Sequence, residues 1–380
     1  MAENAGRDCG WVFGDCGGGE TGAGSKRYWA DIQVIKAEEP NYKALSDKFI
    51  LKNDLQDRFS NLDILRGLAA LAVCLFHFDR DSLFNGTFYS EIARFGYLGV
   101  DVFFVISGFV IPLSLAKAGF TLQGIWAFWM ARFLRLYPAY FATALLAVGL
   151  WYLSMMIPGF RGTAQPDLGF EKVFANLTMT CDFLHQGWYV VVAWTLAIEA
   201  QYYVLVALTF PLLTNTKHLF RIFTILFWLG MPLAVGVGPT VFTWAALFGM
   251  GLLIFLHERK LLSEREFWIF LLIAVVVQFQ VKDFFGALVG LSTVLAIRFI
   301  PQISCHWLIW IGSISYSFYL LHPLIGGRVM NFCERFPNSI VVQIIAVPLA
   351  LFVSIIAAYL FFRAIELPSH QLSRALRNKV

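Results

Sequence analysis

The chain has 380 residues, of which 58% are hydrophobic, 17% aromatic and only 14% charged, and its net charge is +4. Water-soluble domains carry roughly 45–50% apolar and about 25% charged residues, so this chain has too few charges to cover a soluble globule of its size. A lipid-facing surface is apolar, which points to an integral membrane protein; the basic residues form no polar cluster, which argues against a nucleic-acid partner.

Residues 1–57 read as a polar, disordered N-terminal tail without a signal-peptide pattern, so the first apolar helix is expected to serve as an uncleaved membrane signal. The glycine-rich stretch from Gly14 to Lys26 superficially resembles a phosphate loop. It ends Gly24-Ser25-Lys26 where Gly-Lys-Ser/Thr is required, and no apolar strand precedes it, so it reads as linker. Cys9, Cys16, Cys74, Cys181, Cys305 and Cys333 form no CxxC pair and suggest neither a disulfide framework nor a zinc site; no metal is expected.

Beyond the tail, apolar runs predict helices at about 62–78, 95–115, 137–157, 190–213, 220–237, 240–256, 267–281, 284–300, 307–325 and 339–363. FTLQGIWAFWMARFLRLYP, 120–138, mixes apolar and basic residues and predicts a separate helix lying in the interface. Residues 158–189 form the longest loop, and no internal repeat is evident. The expected fold is all-α, a bundle of about ten transmembrane helices. With the N-terminus inside, the inner loops and C-terminal tail hold thirteen Lys and Arg, among them Lys117, Arg132, Arg135 and Arg374, against seven in the outer loops. That asymmetry places both termini in the cytoplasm. The Asn-x-Thr triplets at Asn85 and Asn176 then fall in outer loops.

An ionisable group at the centre of a membrane helix costs about 2.5–3.5 kcal/mol on insertion scales and is a functional candidate by default. Arg66 and His77 share the first helix; eleven steps of 1.5 Å separate them by roughly 16 Å and by about three turns, so they lie on one face at different depths. Glu199 follows Trp194 by five residues in the fourth run, and His322 lies near the end of SYSFYLLHP; Asp101 is a weaker candidate on the second helix. The topology brings His77, His322 and Glu199 to a similar outer depth and gathers Arg66, Arg132 and Arg135 near the inner side. A histidine beside a carboxylate is a common general base, and Arg132 and Arg135, three apart on a helix, can clamp phosphates together. Plainer roles stay open: helix-end caps for the histidines, an interhelical strut for Glu199, lipid-headgroup anchors for the arginines.

At these residues the chain resembles the membrane acyltransferase 3 family, the O-acetyltransferases of surface polysaccharides. LDILRGLAALAVCLFHF has the family's Arg, ten residues, His. LGVDVFFVISGFVI, FWMARFLRLYPAY, WTLAIEAQYYVL and ISYSFYLLHPLI match its further blocks in order. The resemblance covers about 58–368, leaving the tail and a short basic C-terminal tail, 369–380. It implies a domain that takes an acyl group, usually acetyl from acetyl-CoA, and passes it to a sugar hydroxyl. His77 would be the catalytic base, Arg66 its essential partner, Glu199 a second essential residue, and Arg132 and Arg135 the ligands of the coenzyme A phosphates. His322, Trp194 and Asp101 are the substrate-binding candidates. The family's fused SGNH-hydrolase-like domain is not expected after the last helix, so the chain would act alone or with a separate periplasmic partner.

The function expected is therefore acyl transfer from acyl-CoA to a cell-surface or lipid-linked glycan in a bacterial inner membrane, with no permanently bound cofactor. No Ser or Cys sits in a nucleophile motif, which favours direct transfer. A proton-coupled secondary transporter also places His, Glu and Arg inside a bundle, but paired broken helices in symmetric halves are missing. A non-catalytic scaffold would not need Arg66 and His77 together.

Overall fold

The computed structural model describes residues 61–156, 167–301, 303 and 305–377. The N-terminal tail 1–57 with Gly14–Lys26, Cys9 and Cys16, the loop stretch 157–166 and residues 378–380 lie outside the described residues. Each apolar run is helical over most of its length. In chain order the helices are α1 (Asn61–Phe78), the short α2 (Asp81–Phe84) and α3 (Phe88–Ala93), α4 (Gly99–Lys117), α5 (Ile125–Met155), α6 (Phe170–Thr178), α7 (Trp194–Leu213), α8 (His218–Val235), α9 (Ala245–Glu258), α10 (Glu264–Val281), α11 (Phe284–Phe299), α12 (His306–Ser313), α13 (Ser315–Cys333), α14 (Ile340–Phe361) and α15 (Leu367–Arg377). No strand occurs among the described residues.

Seven of these helical segments are long and apolar enough to cross a membrane, or eight if the bent α12–α13 pair is one span. Of the ten expected crossings, α11 is only 16 residues long, and α10 opens on Glu264, Arg265 and Glu266. The outer surface is apolar: Leu219 and Phe223 on α8 and Ile344 and Phe352 on α14 are all exposed. In water such a surface would drive aggregation, whereas in lipid it is what an integral membrane protein requires.

The centre of the bundle is α9, whose residues from Ala245 to Leu256 are all buried, as expected of a helix that is apolar all round. It packs against α4, α8, α10 and α11. Its contact with α4 is close because of two glycines. A Cβ on Gly108 would run into the backbone carbonyl of Phe248, and one on Gly251 into that of Val105. Small residues at such crossings let backbones approach where lipid offers no hydrophobic driving force.

Three segments differ from the expectation. The interfacial helix over 120–138 is not separate: α5 runs unbroken for 31 residues through Pro138, about 46 Å at 1.5 Å per residue, so the amphipathic stretch is the first part of a membrane helix. The helix expected at 307–325 is two helices, α12 and α13, meeting at 74°. At the other end of the chain, α14 passes through a π-helical turn, Phe362–Glu366, into α15. There α15 lies along α5, with Ser373 Oγ donating to Ala131 O at 2.6 Å. Asn176 is buried, its amide donating to Lys172 O and Gly187 O and accepting from the Tyr189 N–H, which makes it a strut of the α6 loop and not an accessible acceptor of sugar.

Candidate active site

Two connected cavities and a histidine pair make up the site. The inner cavity, about 150 Å³, is bounded by α1, α4, α5, α7, α13 and the turn into α15. Arg66, Arg132 and Arg135 reach it, as do the carboxylates Asp63, Glu199 and Glu366. Arg66 Nη1 stands 3.7 Å from Asp63 Oδ1. Glu199 Oε1 accepts from Tyr203 Oη at 2.5 Å and from Ser107 Oγ at 3.3 Å. The Arg132 guanidinium lies 5.4 Å from the Phe128 and Tyr203 ring centroids. Glu366, on the π-helical turn, is buried; its Oε2 accepts from the backbone N–H and hydroxyl of Ser317, with Oε1 3.5 Å from His370 Nε2. Cations and carboxylates thus balance around this chamber, as the cost of burying charge requires.

The second cavity, a vestibule of about 860 Å³, shares Val110, Arg132, Arg135 and His370 with the chamber and adjoins it. Among the described residues its charged lining is Lys117, Arg132, Arg135 and Arg374, with no carboxylate. Such a volume is in the range of small-molecule sites, roughly 300–1,000 Å³, and four cations on one wall favour an anionic ligand.

At the opposite side of the chamber Tyr319 Oη and Thr195 Oγ1 are 2.9 Å apart, with the Phe103 ring edge-on to Tyr319 at 5.8 Å. Beyond this layer lies the histidine pair. His322 Nε2 is 3.0 Å from His77 Nδ1, and the Tyr319 ring that lines the chamber is 5.9 Å from the His322 ring. His322 is fully buried, packed among Phe78, Phe318 and Tyr319, whereas His77 is half-buried.

The sequence-predicted residues therefore separate into groups. Arg66, Arg132 and Arg135 do converge. Glu199 joins them and does not sit beside His77, because α7 and α13 run past each other in opposite directions. From the shared Thr195–Tyr319 level, Glu199 lies four residues along one helix and His322 three along the other, about 10 Å apart along the axes at 1.5 Å per residue. The group beside His77 is His322. Trp194 packs tilted against Trp244, ring centroids 5.6 Å apart, and Lys282 Nζ stands 3.8 Å from the Trp244 ring centroid. Asp101 is buried in the first turn of α4. Neither Trp194 nor Asp101 lines the chamber. Glu366 and His370 were missed, although an acid in FFRAIEL meets the same criterion of an ionisable residue in an apolar run. As for a covalent alternative, burial pushes the Cys181 thiol up to about 11, which makes it a poor nucleophile at neutral pH.

A family model described as an acyltransferase domain, that of the acyltransferase 3 type, matches residues 59–363. The chain is 30% identical over 163 residues to the acyltransferase MdmB of Streptomyces mycarofaciens, a stretch covering 41% of this chain and 39% of that protein. It is 29% identical over 167 residues to the O-acetyltransferase OatA of Staphylococcus aureus, covering 42% of this chain and 25% of the relative. To the peptidoglycan O-acetyltransferase OatA of Listeria monocytogenes it is 28% identical over 159 residues, covering 38% and 23%. The matched part is thus well under half of each of these relatives. No solved structure matches the chain.

Proposed function

The chain belongs to the acyltransferase 3 family, and from that premise we propose that it is a membrane O-acyltransferase moving an acyl group from acyl-CoA to a hydroxyl of a cell-surface or lipid-linked glycan. The observation that carries the donor assignment is the 860 Å³ vestibule on whose wall Lys117, Arg132, Arg135 and Arg374 converge. The nucleotide end of acyl-CoA is a polyphosphate, and this wall offers guanidinium groups that bind phosphate through paired hydrogen bonds. From there the chamber leads to the Tyr319 layer beneath the histidine pair. Two relatives named as O-acetyltransferases, one of them of peptidoglycan, support acetyl as the acyl group and a glycan as acceptor. If the chain crosses ten times, the charge asymmetry of the loops favours both termini in the cytoplasm, and the bacterial relatives favour a bacterial cytoplasmic membrane, so the donor arrives from inside and the acceptor from the far side. In this reading the acyltransferase domain occupies 58–368.

In the reaction His77 Nε2 takes the proton of the acceptor hydroxyl as the oxygen attacks the thioester carbonyl. The tetrahedral intermediate collapses, the C–S bond breaks, and the thiolate takes the proton back from His77. Products are the O-acyl glycan and free coenzyme A. Arg66, Arg132 and Arg135 hold the donor's charge, while Glu199 fixes Tyr203 and Ser107 and balances the arginines.

The test is acyl transfer by the detergent-purified protein, with acetyl-CoA as donor and His77→Ala beside the wild type. A positioned base contributes about 10²–10⁴-fold, so the variant should lose that much kcat while still binding acetyl-CoA. A folded His77→Ala protein that transfers at the wild-type rate removes His77 from the mechanism.

A further inference from the structure

The histidine pair carries more information than proximity. His77 Nδ1 lies 2.9 Å from Val73 O and 3.0 Å from His322 Nε2, and His322 Nδ1 lies 3.2 Å from Phe318 O. A carbonyl oxygen only accepts hydrogen bonds, and a neutral imidazole has one N–H and one lone pair. The two carbonyls therefore require hydrogen on Nδ1 of both rings. His322 Nε2 is then a lone pair, and it accepts from the His77 Nδ1–H that Val73 O shares. The opposite assignment would aim ring lone pairs at both carbonyls, which is repulsive. One arrangement satisfies all three contacts, and it leaves His77 Nε2 unprotonated; among the described residues that atom has no hydrogen-bond partner.

Resting on the reading of His77 as the base, we propose that His322 is a positioning residue that locks His77 in the Nδ1–H tautomer and so presents Nε2 to the acceptor hydroxyl. In many hydrolases a carboxylate holds the base in this way. Here the partner is a neutral imidazole, and its site explains the choice. His322 is fully buried among the rings of Phe78, Phe318 and Tyr319, where an unpaired carboxylate would pay a large desolvation penalty between turnovers. When His77 takes the substrate proton, its Nδ1–H becomes a charged donor to the His322 lone pair, and that hydrogen bond strengthens at the moment it is needed. The contact spans 245 residues of sequence, joining α1 to α13, so the 74° break ahead of α13 sets the approach of the base's partner.

The experiment compares His322→Phe, His322→Gln and His77→Gln with the wild type in detergent, reading kcat and KM with acetyl-CoA, together with ¹⁵N NMR of histidine-labelled protein. Glutamine can place an acceptor oxygen near the position of Nε2, whereas phenylalanine fills the space without one. With His322→Phe, kcat should fall about 10²-fold or more while the acetyl-CoA KM stays within about twofold, and His322→Gln should recover at least about tenfold of that loss. The His77 ring should show a protonated Nδ1 and a bare Nε2 in the wild type. A His322→Phe protein with wild-type kcat, a glutamine variant no better than phenylalanine, or a His77 ring protonated at Nε2 each overturns the proposal. The NMR reading needs only wild-type protein, with His77→Gln to assign the signal, so misfolding of a His322 variant does not rescue the idea. If His77→Gln keeps full transfer activity, the base assignment itself fails, an outcome separate from the His322 results.

Discussion

Arg135→Gln tests the donor assignment most directly. Arg135 lies on the wall shared by the vestibule and the chamber, and among the described residues it makes no ion pair. Its neighbour Arg132 differs in lying over the Phe128 and Tyr203 rings, so replacing Arg132 mixes lost packing with lost charge. Glutamine at 135 keeps a similar stem and removes the guanidinium. A hydrogen bond to a charged group is worth about 1.5–3 kcal/mol, and each 1.4 kcal/mol is tenfold in affinity, so coenzyme A should bind roughly 10- to 150-fold more weakly. The assay is equilibrium binding of coenzyme A to the detergent-purified protein at low and raised salt. Screening should narrow the gap between variant and wild type as salt rises. Arg94→Gln is the control, since Arg94 pairs with Glu91 on the exposed α3 at 2.8 Å and lines neither cavity. If Arg135→Gln binds coenzyme A as tightly as the wild type, the cationic vestibule is not a phosphate site and the argument for the donor falls.

Two further outcomes are expected. A cysteine replacing His185 should react with an impermeant thiol reagent added outside cells and one replacing Lys260 should not; the reverse pattern refutes the orientation drawn from the loop charges. Gly108→Ala forces a methyl group onto the Phe248 carbonyl; overpacking of this kind costs about 1–3 kcal/mol, read as a lower midpoint in a thermal size-exclusion assay, and an unchanged midpoint means that α4 and α9 are not tightly apposed.

Much of the bundle is legible because lipid imposes a simple code: long apolar runs become helices, and the few ionisable residues within them mark the interior. Arg66, His77, Glu199 and His322 stand out by that rule and lie in the candidate site, which Arg132 and Arg135 join as a basic pair three residues apart in an amphipathic stretch. What the code lacks is lateral and axial register. Whether His77 meets Glu199 or His322 depends on how far α7 and α13 slide past one another, and neither helix's sequence states its neighbour's offset. The break before α13 escapes for a related reason, since IWIGSISYS continues an apolar run through three small serines and a glycine without a proline to mark it. Glu366 is hidden by position: close to the chain end, an acid reads as the start of a tail, and only the π-helical turn and the α15 contact with α5 bring it inside.

The length of α5 has a mechanical consequence. The hydrocarbon layer is about 30 Å thick, and a helix of about 46 Å overshoots it, unless steeply inclined, by some ten residues. The part of α5 bearing Phe128, Ala131, Arg132 and Arg135 forms a wall of the vestibule, and the remainder continues into the bundle. The vestibule and the membrane interior are therefore joined by one helix, with Pro138 as a weakened point partway along it. Tilting a rod of this length by about 5° swings one end by about 4 Å relative to the other, more than the reach of a hydrogen bond. If α5 stays straight through Pro138, a small displacement at its guanidinium end is carried to the other end as leverage.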